Sequence, residues 1–165
     1  MTNDTHIIIS RTFAAPREIV WQAWTDPETV KKWWGPKDFW SPSIKIDFKV
    51  GGKYLYCMHG PKDSPFDKDL YSAGEYKEII PLEKIVAADY FSDEFGNKTS
   101  PTEVGLPPNM PLDMFVTTTF DDIGGTKTKL SIIYNPGSPE IRQAMIDSKI
   151  EEGWSSSLDK LASIL

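Results

Sequence analysis

A chain of 165 residues with 39% hydrophobic and 25% charged side chains has the composition of one globular domain and not of a disordered or fibrous protein. Its formal net charge of −6 disfavours binding to nucleic acid or an anionic membrane, since either partner requires a surplus of Lys and Arg. Cys57 is the only cysteine, which excludes an intramolecular disulfide. With no signal-peptide pattern and no long apolar run, residues 1–165 are expected to form a single cytoplasmic domain that does not insert into membranes.

The first predicted elements are a strand and two short helices. Residues 7–13 alternate in the manner of a strand, and apolar side chains recur at helical spacing from Arg17 onward. Asp26 precedes Pro27, a pairing typical of an N-cap followed by the first helical position. The second helix is expected to stop near Gly35.

Apolar and polar residues then alternate with period two, which predicts a run of six strands. Gly51 and Gly52 are expected to form a tight hairpin turn, and Pro81 to separate two strands because it cannot donate to a ladder. Residues 92–111 are rich in Pro, Gly and Asn and are expected to form an extended loop. The six expected strands span residues 44–50, 53–59, 71–80, 82–91, 114–120 and 126–134.

A long helix is predicted at the end of the chain. Ser138 and Pro139 form an N-cap pattern, and the helix is expected to continue without a break to Ile164. Gly153 and Ser157 lie at the edge of its apolar stripe, and we expect the space they leave to admit close contact with a strand. The alternative is a void that holds a ligand.

The predicted order of elements indicates an α+β fold. A strand and two short helices precede the remaining strands, and the longest helix comes last. The simplest packing is a curved antiparallel sheet wrapped around that C-terminal helix. Such a helix-grip arrangement leaves a concave space between sheet and helix, where small-molecule sites often form.

Tryptophan is concentrated near the start of the chain. Five of the six tryptophans lie between Trp21 and Trp40, and the sixth is Trp154. We expect Trp21 and Trp24 to anchor the short helices to the sheet, whereas Trp154 is the one that we expect to contact a ligand. Whether the tryptophans of the second helix border the cavity is left open.

Several segments, in order along nearly the whole chain, resemble the START-like (Bet v 1-like, polyketide cyclase/dehydrase) superfamily. Within it, the chain is most similar to the domain family named for activator of Hsp90 ATPase homologues. The matching segments include Val20-Trp21-x-Ala23-Trp24-Thr25-Asp26-Pro27-Glu28, Trp33-Trp34-Gly35-Pro36, Gly51-Gly52-Lys53-Tyr54, Gly74-Glu75-Tyr76 and Gly153-Trp154-Ser155-x-x-Leu158-x-x-Leu161.

The resemblance implies the helix-grip fold and constrains function much less. Relatives in the superfamily include lipid and hormone carriers, aromatase/cyclases and co-chaperone domains, so the fold alone does not set the activity. The shared segments look like caps, turns and packing positions. None of them carries a catalytic group that can be transferred to this chain.

Few residues in the sequence point to catalysis. His6 and His59 are the only histidines, and no metal-ligand spacing is present, so neither a metal nor another cofactor is expected. Glu75 and Asp89 are weak candidates for a general acid or base, because burial of a strand carboxyl would raise its pKa. The alternative is that these carboxyls face water or pair with neighbouring lysines such as Lys77.

The leading hypothesis is a cytoplasmic protein that binds a hydrophobic or aromatic small molecule between the sheet and the last helix. One alternative is a cyclase/aromatase-like enzyme, and another is a co-chaperone-like module with an exposed apolar patch on the outer face of the sheet and a chaperone partner. A homodimer is also left open. The expected ligand-binding residues are Tyr56, His59, Tyr76, Tyr90, Phe115 and Trp154.

Overall fold

A computed structural model describes residues 5–104, 108 and 112–165. Seven strands, β1 to β7, span Ile7–Phe13, Ile44–Ile46, Lys53–His59, Asp69–Ile80, Lys84–Ser92, Met114–Ile123 and Lys127–Tyr134. Four helices, α1 to α4, span Arg17–Thr25, Pro27–Trp33, Pro139–Asp147 and Ile150–Ile164. The loop expected at 92–111 lies partly outside the described residues, and its described part contains a short 3-10 helix, Pro101–Val104.

The strands form one curved antiparallel sheet in the order β1-β7-β6-β5-β4-β3-β2. The first strand pairs with the last, Ile7 opposite Tyr134, although the other strands separate them in sequence. The helices lie on the concave face, with α4 as the longest. This arrangement confirms the predicted helix-grip α+β fold.

Local sequence signals explain where the short helices begin. The Asp26 side chain accepts a hydrogen bond from the Thr29 backbone N–H over 3.1 Å, and Pro27 occupies the first turn of α2, as predicted. Ser138 caps α3 in the same way, accepting from the Ile141 N–H over 3.2 Å. Each cap satisfies a backbone donor that would otherwise lack a partner within its helix.

The second strand is shorter than expected, ending at Ile46 instead of residue 50. Gly52 lies so close to the chain behind it that a Cβ there would be 2.0 Å from the Asp47 carbonyl oxygen. The Gly51 N–H is bonded to the Tyr76 carbonyl over 2.8 Å. Residues 47–52 therefore form a tight turn that is hydrogen-bonded to β4, and they do not continue β2.

The predicted C-terminal helix is divided into α3 and α4. Lys149 adopts a left-handed backbone with φ +65°, and the Ser148 hydroxyl donates to the Met145 carbonyl over 2.6 Å, which closes the end of α3. The expectation of close contact at Gly153 is wrong, because a Cβ there would meet no atom within 4 Å.

The core lies between the concave face of the sheet and the helices. Its fully buried large side chains include Trp33 from α2, Phe120 and Leu130 from the sheet, and Leu158 and Leu161 from α4. Burying each such side chain is worth roughly 1.5–3 kcal/mol. The packed core fixes the position of α4 over one end of the sheet.

Candidate functional site

A cavity of about 60 Å³ lies between the concave face of the sheet and the helices. Of the fifteen described residues that line it, eight are aromatic, and the others include Ser72, Thr118 and a single charged residue, Asp89. The aromatic members are Trp24, Trp33, Trp34, Tyr54, Tyr56, Tyr76, Tyr134 and Trp154.

Tryptophans form the helical side of the cavity. Trp154 of α4 stacks on Trp24 of α1 with ring centroids 5.8 Å apart and planes 16° from parallel. Trp34, which follows α2, meets Trp154 edge to face at 5.5 Å. These three rings come from three different helical segments, so the wall depends on how α1, α2 and α4 pack together.

Tyrosines form the sheet side. Tyr54 and Tyr56 on β3 share a face because side chains alternate along a strand, and their ring centroids are 5.0 Å apart. Tyr76 on β4 lies 5.0 Å from Tyr54. Burial, reinforced by the neighbouring Tyr76, raises the pKa of Tyr56 well above its ordinary value. The Tyr56 phenol is therefore a neutral hydrogen-bonding group at physiological pH.

The absence of a side chain at Gly74 makes room for Tyr54. A Cβ at Gly74 would lie 2.2 Å from the Tyr54 phenol oxygen and 2.7 Å from the carbonyl oxygen of Ala88. The ring of Tyr54 thus lies over the backbone of β4. This close approach explains a glycine within a long strand, where glycine otherwise weakens the sheet.

Asp89 lies on the same face of β5 as the cavity-lining residues Ile85 and Ala87. Its register partners are Gly74 on β4 and Met114 on β6. No hydrogen bond or ion pair to its carboxyl is formed by any residue that the structure describes. Burial raises the pKa of Asp89 to about 7. A carboxyl with that pKa exchanges its proton near neutral pH, so it can serve as an acid, a base or a counter-ion.

Tyr134 connects the two sides of the cavity. Its phenol oxygen accepts a hydrogen bond from Trp154 Nε1 over 2.9 Å. Burial raises the pKa of Tyr134, and the nearby Asp89 carboxyl raises it further. Tyr134 and Asp89 both line the cavity, so the two groups face the same interior space.

Three of the six residues expected to bind a ligand line the cavity, namely Tyr56, Tyr76 and Trp154. The structure does not bring His59, Tyr90 and Phe115 to it. Each of these lies directly beside a residue of the concave face in sequence, so the alternation of the strand turns it outward. Phe115 is 54% exposed. The expectation that all six share one cavity is therefore corrected, whereas ligand binding by the first three stays a prediction.

His59 belongs to a different cluster at the end of β3. Its Nδ1 is 2.8 Å from Asp69 Oδ1, and its Nε2 is 2.8 Å from Asp67 Oδ1. Hydrogen bonds to Asp69 and then to Asp67 raise the pKa of His59. Trp40, 57% exposed, lies against the imidazole ring with centroids 5.6 Å apart.

Glu75, the second carboxyl candidate, lies away from the cavity. It forms an ion pair with Lys77 on the same strand. The hydrogen bond from Lys77 lowers the pKa of Glu75. Glu75 therefore matches the alternative in which a strand carboxyl pairs with a neighbouring lysine.

Several cavity residues were not expected from the sequence. Tyr54 and Tyr134 could have been found from strand alternation, because they share a face with Tyr56 and Ile132 respectively. Trp24 and Trp34 depend on how the helices pack, which the sequence does not show. Trp21 behaves as expected for an anchor, since its ring packs against Phe120 with centroids 5.0 Å apart.

The described residues contain neither a metal-binding cluster nor a membrane-spanning helix. Within 5–104, 108 and 112–165, no group of three or more His, Cys, Asp or Glu side chains is arranged to hold a metal ion. Over the same ranges, no helix is both long enough and apolar enough to cross a membrane.

Comparisons with known proteins agree with the fold. The family model described as "Activator of Hsp90 ATPase homolog 1-like protein" matches residues 14–165. The chain is similar to the crystal structure of protein Ms6760 from Mycobacterium smegmatis, with 26% identity, a TM-score of 0.81, and coverage of 99% of this chain and 93% of the other. A solution structure of a protein from Arthrobacter aurescens has 26% identity and a TM-score of 0.76 over 94% and 82% of the two chains.

Protein NE0264 from Nitrosomonas europaea has the same fold at 18% identity, with a TM-score of 0.77 and coverage of 100% of this chain and 96% of the other. None of the curated proteins matches the chain. The comparisons therefore establish the fold and the family without assigning a ligand or a reaction.

Proposed function

Because the chain belongs to the family of activator of Hsp90 ATPase homolog 1-like proteins, we propose that it binds a small molecule in the cavity between its sheet and α4. One observation carries the proposal: an interior space walled by eight aromatic rings also contains the carboxyl of Asp89, which pairs with none of the described residues. Aromatic walls with a few polar groups are typical of small-molecule sites, where the polar groups set the orientation of the ligand.

The size of the cavity limits the ligand. A volume of about 60 Å³ holds roughly four water molecules, and a site for a drug-sized ligand measures about 300–1,000 Å³. The bound group is therefore small, or a larger ligand displaces the half-buried rings of Trp34 and Trp154 as it enters.

Native mass spectrometry of freshly purified protein tests this proposal. A retained small molecule is expected, and it should be absent from an Ala87→Leu variant, because the three added carbon atoms of leucine fill the cavity. Circular dichroism checks that the variant is folded. Retention of the same molecule by folded Ala87→Leu would place the ligand elsewhere and contradict the proposal.

A second candidate function is acid–base catalysis on a molecule held in the cavity. The observation that favours it is that burial brings the pKa of Asp89 to about 7, in the range that suits a general acid or base at neutral pH. With the retained molecule or a close analogue as substrate at saturating concentration, Asp89→Asn should abolish turnover. Turnover unchanged in Asp89→Asn would remove this candidate.

A co-chaperone-like role is supported by the family and by exposed apolar side chains on the outer face of the sheet. Ile8 is 60% exposed and Phe115 is 54% exposed. If this face binds a chaperone, Phe115→Glu should weaken capture of that chaperone from cell extract, and Ala87→Leu should not. Equal capture by wild type and Phe115→Glu would contradict this role for the face.

A further inference from the structure

We infer that the cavity selects ligands that carry a positively charged nitrogen, with Asp89 as the counter-ion and the surrounding aromatic rings as the walls of a cation-binding cage. This inference rests on the proposed function, because it names the class of molecule that the same cavity would take. Simple amines and quaternary ammonium groups attached to a small apolar body belong to this class.

The charge of the cavity wall supports the inference. Among the residues that the structure describes, Asp89 is the only charged one in the lining, and none of the described Lys, Arg or His residues takes part in it. Among the described residues, none gives the Asp89 carboxyl a salt bridge or a hydrogen bond. The Asp89 side chain is half-buried, and removing a carboxylate from part of its water without a partner is costly, so a cationic ligand would supply the missing opposite charge.

The aromatic rings supply a second attraction for a cation. The face of a Trp or Tyr ring is electrostatically negative and attracts a cation within about 6 Å of its centroid. Tyr54 lies over Gly74, which pairs directly with Asp89, so a ring is held beside the carboxyl. Tyr134 is close enough for the Asp89 charge to raise the pKa of its phenol. The carboxyl and the rings would therefore both attract a cation bound in this small cavity.

A neutral ligand would use the same carboxyl differently. Protonated Asp89 can donate a hydrogen bond to a neutral acceptor, and binding of that kind would weaken as the carboxyl ionises. A cation would bind more tightly as the carboxyl ionises, because opposite charges attract most strongly in a site shielded from water. The sign of the pH dependence therefore separates the two ligand classes.

The experiment compares tert-butylammonium with tert-butanol, which have nearly the same shape and differ in charge. Their dissociation constants are measured by NMR titration of the protein at about pH 8, where Asp89 is mostly ionised. Wild type should bind tert-butylammonium at least about tenfold more tightly than tert-butanol, equivalent to about 1.4 kcal/mol. Asp89→Asn should lose this preference, and Glu75→Gln, which removes the same charge outside the cavity, should keep it.

A pH series on wild type keeps the test independent of whether Asp89→Asn folds. Affinity for tert-butylammonium should rise at least fivefold between about pH 6 and pH 8, and affinity for tert-butanol should not rise. The other titratable groups that face Asp89 across the cavity are the phenols of Tyr54, Tyr56, Tyr76 and Tyr134, and phenols ordinarily titrate near pH 10. The change can therefore be assigned to the carboxyl.

The outcomes distinguish this inference from the proposed function. Equal binding of the two probes to wild type, or a preference that survives in Asp89→Asn, overturns the cation inference while small-molecule binding stands. Affinity for tert-butylammonium that falls with rising pH also overturns it. Failure of tert-butylammonium to bind wild type overturns it too, whereas the proposed function is decided separately by native mass spectrometry of wild type and Ala87→Leu.

Discussion

Trp154 Nε1 donates a hydrogen bond to the phenol oxygen of Tyr134 over 2.9 Å, and this contact joins α4 to β7 across the cavity. Trp154 also stacks on Trp24 of α1. One side chain of α4 therefore contacts both the sheet and another helix. These contacts help to hold α4 beside the cavity.

Removing the hydrogen bond between Trp154 and Tyr134 should destabilise the fold. We expect Tyr134→Phe to lower the free energy of unfolding by about 1–2 kcal/mol, because the indole N–H then loses its partner in a half-buried setting. Trp154→Phe should cost more, since it also shrinks the stacked ring. Urea denaturation of the two single variants and the double variant measures the coupling between the two residues. Strictly additive losses would show that the bond contributes nothing.

The same substitution at two glycines should have opposite effects. Gly74→Ala should lower the free energy of unfolding by about 3 kcal/mol, because the new Cβ would overlap the Tyr54 phenol and crowd the Ala88 carbonyl. Gly153→Ala should raise it by about 0.5–1 kcal/mol, since open space surrounds that helical position and alanine favours a helix. Thermal or urea unfolding checks both. A neutral Gly74→Ala would contradict the close packing of Tyr54.

Part of this architecture could be predicted from local sequence signals. Asp26 and Ser138 identify the helix starts because their caps depend on neighbouring residues only. The division of the C-terminal helix at Lys149 was missed, since its left-handed backbone depends on how α3 and α4 both reach the core. Local periodicity does not contain that information.

The candidate site could likewise be predicted only in part from local sequence patterns. Asp89 was recognised as a strand carboxyl that could be buried, but a single sequence does not reveal which face of β5 is covered. Tyr90 and Phe115 were expected in the cavity because they are aromatic, although their immediate neighbours Asp89 and Val116 occupy the concave face. Once the structure shows that Asp89 and Val116 face the cavity, the alternation of each strand turns Tyr90 and Phe115 outward. Placing Trp24 and Trp34 beside the cavity requires knowledge of how three helical segments pack together.

Asp89 should make the stability of the protein depend on pH. Its pKa is about 7 in the folded protein, compared with about 3.9 for an unfolded chain. Between these values the folded state keeps a proton that the unfolded state has lost, so the stabilisation is fully present below about pH 4 and is lost as the pH rises to about 7. The loss is at most about 1.4 kcal/mol per pH unit.

Asp89→Asn isolates this effect because asparagine does not titrate. The free energy of unfolding of the variant minus that of wild type should increase from about pH 4 to pH 7 and then level off. Urea denaturation across this range measures it, with Glu75→Gln as the control outside the cavity. A constant difference between Asp89→Asn and wild type would show that Asp89 is not held in a setting that disfavours its charge.

His59 should titrate above its ordinary range, because both ring nitrogens can donate to carboxylates only when the imidazole is protonated. Its raised pKa stabilises the fold fully below about pH 6.5, and this contribution is lost as the pH rises through the folded-state value. NMR titration of the imidazole measures the shift. Asp69→Asn should lower the pKa of His59 more than Asp67→Asn does. An unshifted wild-type titration would contradict the bridging geometry.

The most direct test of the cavity as a ligand site uses the indole N–H signals of the six tryptophans, assigned by single Trp→Phe variants. During titration with tert-butylammonium and tert-butanol, the signals of Trp24, Trp34 and Trp154, which line the cavity, should shift. The signal of Trp40, exposed and outside the cavity, should not. Shifts confined to Trp40, or unchanged signals from all three cavity tryptophans, would contradict binding in the cavity.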